Sequence, residues 1–246
     1  MADSITNLSG SPAAVSRITS AIASAFTKTP ISLALWTEKY ELAPPYPKFL
    51  SREALEPHFR PQVEEAAQSG AVCVEAGNYS AVAIWTVPNS SPHRAPTSST
   101  TAASIAPEKE RPLLQEFVMK VDAAKRRFLT SGSEADQAAS NFSTARSSSE
   151  PPVMKPYYEL KFLARNPEVP RVEGAISAVV RPFLERARNE GVPVWLEAAD
   201  PAAVTVYEHF GFRMVERITA GIGKVSGDGW PQDGGEGASV WGMLFD

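Results

Sequence analysis

The sequence predicts a mixed α/β (α+β) fold built on one central sheet. Three observations predict it. Helical periodicity dominates the N-terminal part, up to a cap at Gly70. Two β-rich runs joined at Gly77-Asn78 follow. From Tyr157 onward the pattern is strand, helix, strand, helix, strand, strand, an order that places helices against a single sheet. The chain has 246 residues, 43% hydrophobic and 21% charged, enough apolar surface for a core. The expectation is one domain over 1–246, with a flexible Ser/Thr/Pro-rich insertion at about 89–152 that carries one helix.

Taken in order, Ser11-Pro12 is a helix start, a capping hydroxyl followed by proline at the first helical position. Val15, Ile18, Ile22, Ala25 and Phe26 then recur at helical spacing. A second helix is expected over Ile31–Tyr40, before Pro44-Pro45. Ser51 opens a helical stretch that Pro57 and Pro61 should break, with helix resuming over Gln62–Ser69. The strands Ala71–Glu75 and Ser80–Val87 form a hairpin. From Asn89 to Pro107, 15 of 19 residues are Ser, Thr, Ala or Pro, a composition that cannot bury enough surface to offset its ordering entropy. Pro112 begins an amphipathic helix with Leu114, Phe117, Val118, Val121 and Phe128 on one side. Thr130–Pro152 is again Ser- and Ala-rich and expected to be flexible. Tyr157–Ala164 reads as a strand and Gly174–Glu190 as a helix that Pro182 should kink. Val192–Ala198 is a continuous apolar strand of the type buried on both faces. A short helix, Ala202–Phe210, precedes the strands Phe212–Thr219 and Ser239–Phe245. Gly221–Gly237 between them reads as a flexible loop.

Composition excludes several classes. The net charge of −4 disfavours a general nucleic-acid binder. One cysteine, Cys73, forms no internal disulfide and no metal cluster, and its strand context marks it as a small core residue. No basic segment with a long apolar run opens the chain, and no stretch is long enough to span a membrane. The expectation is a soluble cytoplasmic protein with a small-molecule substrate, no nucleic-acid or membrane partner and no metal. No feature of the sequence sets an oligomeric state.

Three segments carry a resemblance. They are Val179-Val-Arg-Pro-Phe-Leu-Glu-Arg-Ala187, Glu190-Gly-Val-Pro-Val-Trp-Leu-Glu-Ala198 and Tyr207-Glu-His-Phe-Gly-Phe212. In order and spacing they resemble the last third of the GNAT superfamily, the acyl-CoA-dependent N-acetyltransferases. The resemblance extends over roughly Ala71–Val87 and Tyr157–Asp246, and the Ser-rich insertion is similar to that of fungal members. It implies a mostly antiparallel sheet whose two central parallel strands, Tyr157–Ala164 and Val192–Ala198, splay apart around acetyl-CoA, with helices on both faces. It also implies a phosphate-binding loop over Arg171-Val-Glu-Gly-Ala-Ile176. Such a loop offers backbone N–H groups and a helix N-terminus to a pyrophosphate. Arg171 and Gly174 fit the pattern. Ile176 stands where Gly or Ala is expected, and Glu173 adds a negative charge, so the loop departs from the family and predicts weak or unusual acetyl-CoA binding.

By the same resemblance, Tyr207 protonates the departing thiolate, a role suited to a hydroxyl within hydrogen-bond reach of sulfur. Without a cofactor it reads as a core tyrosine. Glu159, the carboxylate inside the fourth strand, is the candidate base, and Glu197 is the second candidate. The acyl-CoA site would comprise Leu163, Arg165, Arg171, Gly174, Ala175 and Ile176, with a backbone N–H of Leu163–Arg165 holding the oxyanion. Trp36, Tyr40 and Trp85 are candidates to line the acceptor pocket, Trp85 facing either pocket or core. His58 sits near the cleft mouth, His209 on an exposed helix face, and His93 in the insertion. No basic patch for an acidic substrate stands out. Two further readings remain open: a GNAT-like protein that has lost acetyl-CoA and uses the cleft for another ligand or a thioester-independent reaction, and a non-enzymatic regulatory protein.

Overall fold

The start signals read from the sequence are in place. Ser11 Oγ accepts from Ala14 N at 3.4 Å and Pro12 occupies the first turn of α1 (Pro12–Ala25). The computed structural model describes residues 6–7, 11–88, 110–130 and 154–246. The expected flexible stretches around 89–109 and 131–153, with His93, lie outside the described residues. The remaining elements are β1 (Thr6–Asn7), α2 (Pro30–Tyr40), α3 (Arg52–Gln68), β2 (Val72–Ala76), β3 (Ala81–Thr86), α4 (Pro112–Leu129), β4 (Tyr158–Arg165), α5 (Ala175–Glu190), β5 (Val194–Ala198), α6 (Pro201–His209), β6 (Arg213–Ala220) and β7 (Ala238–Phe245).

The strands form one seven-stranded sheet in the order β1-β2-β3-β4-β5-β7-β6. All neighbours run antiparallel except the central pair, β4 and β5. That pair holds only two rungs, Tyr158↔Val194 and Glu159↔Trp195, and then separates. A bulge sits beside the separation. Trp85 pairs with Leu160 while Ile84 pairs with Phe162, which leaves Lys161 as the extra residue.

Helices cover both faces. On one, α5 and α6 pack Val179, Val180, Phe183 and Tyr207 onto Trp85, Tyr158, Leu160 and Leu196. On the other, α1 and α3 cover β2–β4 through Ile18, Ile22, Leu55 and Phe59, with Cys73 fully buried among them. On that same face, α2 and α4 cover β5–β7 through Ile31, Leu35, Val121, Ala124 and Leu129. The described helices of the second face therefore fall into two groups, one on each side of the β4/β5 gap.

Two expectations are corrected. Pro57 and Pro61 do not break α3, which is continuous from Arg52 to Gln68. The two prolines are four residues apart on the exposed side. The carbonyls they leave unpaired lie one turn earlier on that side, open to solvent, while Leu55, His58, Phe59, Val63 and Ala66 stay packed. Nor is Gly221–Gly237 an unstructured link. Gly223 N donates to Gly235 O at 2.7 Å, Gly237 N to Val225 O at 2.7 Å and Gln232 N to Lys224 O at 2.9 Å. At Gly229 the φ is +89°, and a Cβ would come within 2.1 Å of Pro30 O. Only glycine lets this loop dock on the start of α2.

Pro182 lies inside α5, which also runs unbroken. It denies Ala178 O its helical partner. The next carbonyl, Val179 O, accepts from the Trp85 indole at 3.0 Å. The hairpin at Gly77-Asn78 is a four-residue connection, with Gly77, Asn78 and Tyr79 all left-handed at φ of 65°, 53° and 64°.

Candidate active site

The gap between β4 and β5 connects two clefts, one on each face of the sheet. The first, about 600 Å³, lies toward α5 and α6 and is lined by Leu163, Arg165, Ile176, Glu197, Asp200 and Tyr207, among others. The second, about 500 Å³, lies between the helix groups of the other face; its apolar walls include Phe59, Leu114, Phe117 and Val118. Glu197, Phe26, Lys161, Phe162 and Ala199 line both. Phe26, Phe59 and Phe162 form an edge-to-face trio with centroids 5.5–6.0 Å apart, an apolar wall beside the opening.

The apex of the gap carries buried charge. Glu159, on the last paired rung, accepts from Lys125 Nζ at 2.6 Å, and Glu197 Oε1 stands 3.5 Å from the same ammonium. Glu197 Oε1 also accepts from the Trp195 indole at 2.5 Å. Gly242 on β7 pairs opposite Glu197, and a Cβ there would meet the Trp195 ring at 2.8 Å. One ammonium thus faces two carboxylates. Burial works against the Lys125 charge, but Glu197 and Glu159 outweigh it and hold the ammonium protonated. Burial pushes the Glu197 carboxyl above its ordinary range; Lys125 pulls it back and Glu159 adds to the rise. Glu159 holds the closer ion pair with Lys125.

Tyr207 is buried, stacks edge-on against Phe212 at 5.8 Å and lines the first cleft. Burial, with Asp200 and Glu197 adding, raises its phenol well above the usual range, so it stays protonated. The spacing that places it begins at Asp200, which caps α6 by accepting from Ala203 N at 2.8 Å. A protonated phenol and a carboxylate of raised pKa therefore share one cleft.

The other predicted residues divide. Leu163, Arg165 and Ile176 line the first cleft, and Arg165 is exposed. Arg171, Glu173 and Gly174 are exposed just before α5, and Ala175 is buried; none of the four lines the cleft wall. Gly174 is left-handed at φ +78°, with open space where a Cβ would stand. Ala175 N is already bonded to Val172 O, leaving the N–H groups of Ile176 and Ser177 without helical partners. Ile176 packs its side chain against the core, away from the helix axis. The branched residue thus does not close the helix end, and the residues present fit a pyrophosphate there.

Trp85 is corrected: it is fully buried, stacked on Phe183 at 4.6 Å, and belongs to the core. Trp36 and Tyr40 are also not cleft residues. Trp36 donates to Ala54 O at 2.9 Å, and Tyr40 packs on Trp36 from the exposed side. Helical phase explains this, because Leu35 and Lys39 hold the cleft-facing positions of α2. His209 is exposed. His58 is buried in the second cleft with no hydrogen bond from Nδ1 among the described residues. Burial, then Lys39 and Arg111, push its pKa down to about 4. Lys125 escaped the sequence reading, although a signal existed: it sits within the buried stripe Val121, Ala124, Leu129 of α4. Two cations distant in sequence, Lys39 and Arg111, lie together in this cleft beside His58, Arg111 paired with Glu38 at 3.8 Å.

No helix among the described residues is long and apolar enough to cross a membrane, and none of their His, Cys, Asp and Glu side chains form a metal-binding cluster. No protein-family profile matches the chain. Among curated proteins it is similar to increased recombination centers protein 11 of Saccharomyces cerevisiae, 28% identical over 102 residues. That match covers 42% of this chain, and the chain spans 65% of that relative's length. Among solved structures it is similar to a mosquito arylalkylamine N-acetyltransferase-like protein, with a TM-score of 0.51 at 11% identity over 98% of this chain and 99% of the other. It is also similar to the C-terminal condensation domain of Ebony in complex with β-alanyl-dopamine, with a TM-score of 0.50 at 9% identity over 100% and 99%. With β4 and β5 paired for two rungs and then parted, and with helices on both faces, the chain is a GNAT-fold protein.

Proposed function

We propose that the protein is an acyltransferase that moves an acyl group, acetyl in the simplest case, from a coenzyme A thioester in the first cleft to an amine in the second. The observation that carries this reading is the β4/β5 gap with Glu197 lining the clefts on both faces. Direct transfer needs one opening through the sheet where donor and acceptor meet, and a base at that opening.

The α5 N-terminus would hold the pyrophosphate, with Arg165 and Arg171 contacting phosphate oxygens through their side chains. The thioester supplies an activated acyl carbon and a thiolate leaving group. Glu197 takes the proton from the acceptor ammonium, and its raised pKa brings it nearer that of its substrate. Beyond Glu159 β4 pairs only with β3, so a backbone N–H on its β5-facing edge near Leu163–Arg165 is available to a developing oxyanion. The Tyr207 phenol returns a proton to the departing sulfur. Glu159 is a positioning residue in this reading, since it holds Lys125 at 2.6 Å. The domain reading, one unit over 1–246 interrupted at about 89–152, belongs with this proposal.

Calorimetry with acetyl-CoA tests it. Micromolar binding that weakens when Arg165 and Arg171 are neutralised is the expected result, and absence of binding overturns it. A second reading, a GNAT-fold protein with a different acyl donor or ligand, is favoured by Ile176 and Glu173 in the loop and by the β-alanyl-dopamine complex of Ebony. A thermal-shift panel of CoA esters and free amines separates the two.

A further inference from the structure

The second cleft has two chemically distinct ends and an apolar middle. One face of α4 displays this. Arg111 directly precedes the helix, Leu114, Phe117 and Val118 follow along the cleft, and Lys125 meets Glu159 and Glu197 at the far end. The first four are three or four residues apart and Lys125 follows two turns after Val118, so they share one helical face. Fourteen residues separate Arg111 from Lys125 in sequence. At helical rise that is roughly 20 Å along the axis, part of which the side chains close by reaching inward.

The Arg111 end is cationic. Arg111 donates through Nη2 to Leu35 O at 3.1 Å, but its Nε is buried without a hydrogen bond, and Glu38 Oε2 stands 3.8 Å away. Lys39 lines the same end and has no carboxylate partner among the described residues. His58 beside them is buried and neutral, lowered first by burial and then by both cations. Lys161, exposed on the bulge, lies at the other end, where it lines both clefts with Glu197. Glu38 pairs with Arg111, which leaves Lys39 as the uncompensated cation of this end, whereas the carboxylates that line the cleft, Glu159 and Glu197, lie at the opposite end and already share Lys125. Such a cleft does not attract a polycation, because its remote end repels the second ammonium.

We propose that the acceptor is an elongated amine with an apolar body and an anionic group at the end remote from the amine, an ω-amino-acid-like molecule. This rests on the transfer reading for which end takes the amine. The amine lies at Glu197, the body along Phe59, Phe117 and Val118, and the anion between Arg111 and Lys39.

Three probes of equal chain length test this by calorimetry without any acyl donor: 8-aminooctanoate, octylamine and 1,8-diaminooctane. The aminocarboxylate is expected to bind about tenfold more tightly than octylamine, and the diamine most weakly. Lys39→Gln should erase most of the preference for the carboxylate while leaving octylamine binding unchanged, and Arg111→Gln should do the same. Lys39→Gln guards against misfolding of the Arg111 variant, since Arg111 also ties down Leu35. Octylamine or the diamine binding as tightly as the aminocarboxylate overturns the proposal. So does a preference that survives both substitutions, or no binding of any probe. Acetyl-CoA titrated separately distinguishes the failures: its failure to bind removes the transfer reading, whereas acetyl-CoA binding together with equal binding of the three probes removes only the acceptor assignment.

Discussion

At the scale of single residues, the proton inventory of the β4/β5 apex decides the chemistry. If Glu197 is the base, Glu197→Gln lowers kcat about a hundredfold or more, with little effect on acyl-CoA affinity. The wild-type rate should rise with pH as the raised Glu197 carboxyl loses its proton, and the variant should lack that limb; a pH–rate profile checks both. Tyr207→Phe should also lower kcat while leaving the Glu197 limb in place. Lys125 has a different role. Lys125→Met leaves two carboxylates buried without their counter-charge, at a cost of about 3–5 kcal/mol. The remaining carboxyls then favour the protonated state in the fold, so the variant's stability is greatest at low pH and is lost as pH rises; urea melts across pH test this. His58 acts in the reverse direction. Its folded pKa of about 4 lies below the ordinary 6.5, so its contribution is complete above about 6.5 and is lost as pH falls toward 4. His58→Gln should flatten stability against pH between about 5 and 6.5, above the range where ordinary carboxylates titrate.

At the scale of elements, two features contradict local propensity and are open to test. In α3, Pro57 and Pro61 lie on the exposed face and each removes a helical hydrogen bond. Pro61→Ala should therefore stabilise the protein by about 1–2 kcal/mol, the gain in helix propensity less the lost restriction of the unfolded chain. A raised thermal midpoint with unchanged helical circular dichroism is the expected readout. In the β6–β7 connection, Gly229→Ala forces a Cβ against the Pro30 carbonyl in a left-handed conformation. A loss of about 1–3 kcal/mol is expected, together with weaker aminocarboxylate binding, because α2 carries Lys39 into the second cleft.

At the scale of the whole molecule, the site exists because two helix groups stand apart over a sheet that opens at its centre. α1 and α3 hold the β2–β4 side, α2 and α4 hold the β5–β7 side, and the second cleft lies where neither group meets the other. A ligand that binds only the folded chain must stabilise it by mass action. Acetyl-CoA at a hundred times its dissociation constant should add about 2.7 kcal/mol, and an acceptor amine should add to that where both clefts are filled together. Differential scanning calorimetry with each ligand alone and with the pair measures this coupling.

Much of this architecture is written in local chemistry. Ser11-Pro12 and Asp200-Pro201 mark helix starts, and Gly191, left-handed at φ +64°, marks a helix end. The apolar run before Ala198 reads as a central strand, whereas the cleft position of Tyr207 came from the family resemblance of the Tyr207–Phe212 segment. These signals depend on residues a few positions apart, so a linear reading reaches them. The second cleft was not legible in that way. Trp36, Tyr40 and Trp85 look like pocket aromatics until helical phase and the α5 contact turn them to core and surface. Lys125 belongs to the site only because α4 lies across Glu159 and Glu197, residues far away in the chain. Local periodicity and capping were enough for most of the elements, α3 with its two prolines excepted. Tertiary structure alone decided which charges meet, because burial and distance set the charge state of Glu197, Lys125 and His58, and neither can be counted along a chain.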